Sequence, residues 1–160
     1  MLPVTDLADA WASLYANSAP LRTGVGFAHI AGLVAGGGCA IAADRGTLAA
    51  LRRDDSERLR QLDALANVHR VVIAGLTVVI VSGLLLLLAD LDTYLHQSMF
   101  WWKMACVTVL MMNGAWMLRA SNQARQGRAG GWSALRRASI VSLMLWFGTT
   151  LLGAALPNVL

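Results

Sequence analysis

Four apolar runs decide what this chain can become. They cover about residues 24–43, 70–89, 99–118 and 138–156 of 160, each near the ~20 residues a helix needs to cross a bilayer core. Hydrocarbon offers a backbone no hydrogen-bond partner, so a spanning run of this kind is helical. Hydrophobic residues make up 57% of the chain and charged ones 14%, which is a membrane composition. The sequence therefore predicts an all-α fold in a single domain, 1–160. That fold is an integral-membrane four-helix antiparallel bundle with a short interfacial amphipathic helix at 4–18. In this last segment Thr5 or Asp6 is placed to cap, and Leu7, Trp11, Leu14 and Tyr15 recur at helical spacing.

Arginine placement sets the expected orientation. Arg45, Arg52, Arg53, Arg58, Arg60 and Arg70 lie between the first two runs, and Arg119, Arg125, Arg128, Arg136 and Arg137 between the last two. The opposite side has only Arg22, with Asp6, Asp9, Asp90 and Asp92. By the positive-inside rule, segments 44–70 and 119–137 are cytoplasmic and both termini periplasmic in a bacterial inner membrane. The net charge of +4 then reports topology and contact with anionic lipid. No basic face interleaved with aromatics suggests a nucleic-acid partner. The expected partners are the lipid bilayer and a second copy or a larger membrane complex.

Within this apolar frame the ionisable residues carry the information. Lys103 is the only lysine and lies inside the third run, where a charge costs at least about 2.5–3.5 kcal/mol at the helix centre. By the helical wheel Lys103, Cys106, Leu110, Asn113, Gly114 and Met117 share one arc, expected to face the bundle interior. Trp101, Met104, Ala105, Thr108, Met112 and Ala115 take the opposite one. In the first run His29 sits above a seam of Gly32, Gly36, Ala40 and Ala43, spaced for close helix approach. The fourth aligns Ser142, Trp146, Thr149 and Gly153. Laid antiparallel, these runs place His29, Lys103, Trp146 and Thr149 at similar depth in the outer leaflet, below Asp90, Asp92 and His96. The two aspartates are either a solvated turn or a balance for the Lys103 charge.

Thr77 and Ser82 of the second run are read as bonding their own backbone, and His69 as an inner-interface residue some twenty Å from His29. Segment 121–131 reads as a flexible connection. Cys39 and Cys106 are expected to be thiols, because antiparallel packing puts them at different depths. The start Met1-Leu2-Pro3-Val4 lacks the basic n-region of a cleavable signal. No nucleophile elbow, phosphate loop, zinc-spaced Cys/His set or intramembrane carboxylate pair is present. The catalytic candidates are His29 and Lys103. The cofactor-binding candidates are His29, Lys103, Trp146 and His96, with His29 the residue suited to a haem iron.

Three short patterns, Phe27-Ala28-His29-Ile30-Ala31-Gly32, Asp44-Arg45 and Phe100-Trp101-Trp102-Lys103, resemble small bacterial membrane families. These are the uncharacterised four-helix proteins related to the copper-resistance D type, and the membrane-bound protoporphyrinogen oxidase that binds haem b. The resemblance implies functional roles for His29 and Lys103 and haem b as cofactor. The oxidase pattern would place a histidine near Asn113 and an Asn-Glu pair near Arg136-Arg137-Ala138-Ser139, so the closer likeness is to the uncharacterised family. Two expectations follow. His29 and Lys103 serve a haem or porphyrin group, or they form a buried polar clasp in a non-catalytic structural or assembly subunit.

Overall fold

Helix starts and stops follow local capping chemistry. The computed structural model describes residues Val4–Asn158, and α1 covers Val4–Asn17, so Asp6 falls in its first turn; the side chain of Thr5 lies outside the described residues. Ser18 Oγ accepts from Leu21 N at 3.4 Å, with Pro20 in the first turn, and opens α2, Ala19–Ala50. Asp54 caps α3, Asp55–Ala89, by accepting from Glu57 N at 3.1 Å. That bond holds its carboxyl below the usual carboxylate range. Asp90 opens a short α4, Leu91–His96. After α5, Ser98–Arg125, Gly127 and Gly130 take positive φ and reverse the chain into α6, Gly131–Ala155. A 3₁₀ turn, Leu156–Asn158, follows.

The described residues are thus all-helical, with six α-helices rather than a plain bundle of four. Three of them, α2, α3 and α6, are long and apolar enough to cross a membrane, which supports a membrane protein. The third run, within α5, falls short of that measure because Lys103 and Asn113 interrupt it. Helices also outlast the apolar runs at the arginine-rich end. Segments 44–70 and 119–137 are mostly helix, and the chain bends only at 51–54 and 126–130. Helical structure runs on to Arg125, through the first five residues of the segment 121–131 expected to be a flexible connection. There Leu62, Ala120, Ala124 and Leu135 form the buried apolar cluster. Arg125 crosses from α5 to α3, bonding Asp63 Oδ1 at 2.8 Å and the Leu62 carbonyl at 2.6 Å.

Packing is organised as two helix pairs, α2 with α3 and α5 with α6, joined through α2 and α6. The seam foreseen in the first run forms: Gly32 and Gly36 are buried against α3, at Gly75. A Cβ on Gly75 would sit 2.6 Å from Gly36 Cα, so these backbones touch. The arcs of α5 also hold, with Leu110 and Asn113 buried and Trp101, Met104, Ala105, Thr108, Met112 and Ala115 exposed. On α6, Ser142, Trp146 and Thr149 are buried. At the far end, Trp11 Nε1 donates to the Leu85 carbonyl at 2.8 Å and ties α1 to α3. Arg22 bonds the Ala16 carbonyl and closes the α1–α2 corner.

Gly75→Ala should force α2 and α3 apart and lower stability by about 1–3 kcal/mol, the usual range for overpacking. Gly38→Ala, where an added Cβ meets nothing within 4 Å, should leave it unchanged. Thermal unfolding of the detergent-solubilised protein checks both.

Candidate functional site

The His29 imidazole is placed by the glycine seam. One turn from Gly32, it reaches across to α3, where its Nδ1 lies 3.0 Å from Ser82 Oγ. Its ring rests against Gly83, at which a Cβ would stand 3.3 Å from His29 Cε1. Ser82 is buried, and its hydroxyl donates to the Val78 carbonyl at 2.6 Å. A hydroxyl has one proton. With that proton on Val78, Ser82 offers His29 only a lone pair, so Nδ1 carries the hydrogen and Nε2 is left basic. The Val79 carbonyl, 3.3 Å from the same hydroxyl, is a further acceptor facing the ring.

Lys103, on α5, forms no hydrogen bond with His29 among the described residues. Its stem lies along α6: a Cβ on Gly153 would be 3.7 Å from Lys103 Cε and Nζ. No carboxylate pairs with it among the described residues. Asp90 is occupied as the cap of α4. Of the two readings of Asp90 and Asp92, the solvated turn is the one seen: both are exposed, and neither pairs with Lys103 among the described residues. His96 is exposed on α4, its Nδ1 2.7 Å from the Asp92 carbonyl.

Trp146 departs from its expected place. Its ring packs on Gly37, where a Cβ would meet Trp146 Cε3 at 2.9 Å. Gly37 is eight residues from His29 on α2, about 12 Å along the axis. Trp146 therefore belongs to a different feature, a cavity of about 470 Å³ between α3 and α5 toward the arginine-rich end. His69, Arg125, Ser142 and Asp44 share its lining. Asp44 is 2% exposed, and neither carboxylate oxygen makes a well-formed hydrogen bond among the described residues.

Two important groups, then, were not among the expected site residues. Ser82 was read as satisfied by its own helix, which is half of what it does. Asp44 looks like the end of an apolar run, and only the long continuation of α2 buries it. A serine seven residues from a helix-packing glycine, 82 against 75, was the available signal for the first. For the second it was the small polar pair Ser139 and Ser142 in the facing helix.

The chain matches no protein-family model, no curated protein and no solved structure. Function is therefore argued from the site itself.

In nitrogen-15 histidine spectra of the protein in nanodiscs, His29 should be the Nδ1–H tautomer, and Ser82→Ala, which leaves only the Val79 carbonyl as acceptor, should weaken that preference. A wild-type Nε2–H signal would contradict the hydrogen-bond assignment.

Proposed function

We propose that the chain is a polytopic protein of the bacterial inner membrane with a haem b or porphyrin site at the α1/α4 end. The carrying observation is the His29–Ser82 hydrogen bond. A metal-ligating histidine characteristically donates its second ring N–H to a fixed acceptor, which sets the tautomer and strengthens the ligating nitrogen. His29 has that arrangement, with Nε2 the nitrogen left to bind iron. Lys103, without a carboxylate partner among the described residues, suits a porphyrin propionate. The resemblance of the His29 and Lys103 segments to haem-binding membrane proteins favours the same pair.

Among the described residues His29 would hold the iron. Met104 points to the exposed face of α5, and His96 is held to its own helix. Bound haem supplies one-electron chemistry or binds a small ligand at iron. The chain's own contribution is to fix the imidazole through Ser82 and to supply a cation on α5. Membrane placement belongs to the same proposal: α5 is the fourth span, α1 lies along the periplasmic surface, and the arginine-rich end is cytoplasmic. The distribution of arginine supports this orientation. Association with a second copy or a larger complex is part of it too, through the exposed Trp101, Met104 and Met112 face of α5.

A second reading has its own support. The His29–Ser82 bond ties α2 to α3 and Lys103 lies against α6, so both residues also serve as polar fasteners in a non-catalytic subunit. The absorption spectrum separates the two. Protein purified from haem-supplied cells should show a Soret band, absent in His29→Ala and weakened in Lys103→Met. No band in the wild type, and none after haem is added, would leave only the fastener role.

A further inference from the structure

The cavity wall holds a second ionisable group, which the His29 site does not use. Asp44 on α2 is 2% exposed, and neither of its oxygens makes a well-formed hydrogen bond among the described residues. It faces Ser139 and Ser142 on α6. Ser139 is fully buried, and its Oγ likewise has no partner. On α5, Asn113 gives its amide nitrogen to the Ala138 carbonyl at 3.0 Å and keeps a buried Oδ1 free beside the same turn of α6. Asp44 on α2 thus meets the hydroxyls of Ser139 and Ser142 on α6, and Asn113 on α5 adds a buried carbonyl oxygen beside Ala138 of the same helix.

Neighbouring charges do not resolve this. Among the described residues no basic group forms an ion pair with Asp44. Arg125 on α5 is committed to Asp63 and the Leu62 carbonyl. His69 on α3 lines the cavity without bonding to Asp44. Arg45 on α2 and Arg136 and Arg137 on α6 are exposed. A lone buried carboxylate is strongly disfavoured unless it is neutralised in place.

The donor chemistry selects the neutralising species. Carboxylate, hydroxyl and amide oxygens suit a hard cation. One carboxylate balances one positive charge, whereas a divalent ion would leave a net charge in a low-dielectric interior and asks for more oxygen ligands. We propose that Asp44, Ser139, Ser142 and Asn113 form a binding site for a single Na⁺, reached from the cavity between α3 and α5, with the proton as its competitor.

The test is thermal unfolding of the full-length protein in nanodiscs at pH 8, in sodium chloride against choline chloride at equal ionic strength. Sodium should raise the wild-type midpoint by about 3 °C or more at saturation. Asp44→Asn should remove this dependence. Ser139→Ala, which keeps the carboxylate, should raise the sodium concentration for half the shift about threefold to tenfold, the loss of one oxygen ligand. Equal wild-type midpoints in the two salts would overturn the proposal and leave Asp44 neutralised by a proton alone. A sodium shift that persists in Asp44→Asn would overturn it as well. If Asp44→Asn does not fold, the wild-type and Ser139→Ala titrations decide, and an unchanged sodium requirement in Ser139→Ala counts against the site.

Discussion

Backbone contact between α2 and α3 at Gly36 and Gly75 sets the register on which the rest depends. Lipid gives no hydrophobic drive for helix association, so contact area and hydrogen bonds must supply it. A Cβ on Gly75 would lie 2.7 Å from Gly36 N and 2.9 Å from the Gly32 carbonyl, which leaves no room to slide. Counting outward in opposite directions, His29 is seven residues from Gly36 and Ser82 seven from Gly75. Two helical turns therefore bring imidazole and hydroxyl to the same level. Toward the other end, Gln61 Nε2 reaches the Ala43 carbonyl at 3.1 Å and Thr47 Oγ1 at 3.3 Å. The histidine's partner is a consequence of glycine packing two turns away.

The same constraint accounts for the cavity. α2 is held by α3 along one side and by α6 along another, with the Trp146 ring filling the space over Gly37. α3 and α5 are left on outer corners and scarcely touch above the Arg125 crossing. Their facing side chains, among them Leu76, Leu110 and Met117, line the gap without closing it.

Much of this was legible in the sequence, for identifiable reasons. Small residues at helical spacing marked the α2 seam, and the wheel of α5 separated buried from exposed positions, because both depend only on 3.6-residue periodicity. Depth along the membrane was less legible, because apolar runs mark hydrocarbon rather than helix ends. α2 continues to Ala50 and α3 begins at Asp55, which carries Asp44 from an expected interface into a packed interior. Trp146 was misplaced for a related reason. Antiparallel counting assumes four helices of equal tilt and offset, whereas α6 meets α2 eight residues below His29. Pairing was the least legible of all. Ser82 was visible as a polar residue, but its second bond depends on which helix lies opposite.

Lys103 and Asp44, of opposite charge, differ in how they meet the cost of burial. Lys103 stands in the second turn of α5, and its long stem lets an ammonium move toward the helix end and water. A lysine there is tolerable even without a fixed partner. Asp44 has a single methylene between backbone and carboxylate, on a helix that continues beyond it to Ala50, and α6 seals it in. It borders the cavity, but its stem is too short to carry the charge out of the bundle. The lysine stands out in the sequence as the improbable charge, but the aspartate is the one that its short side chain keeps among the helices.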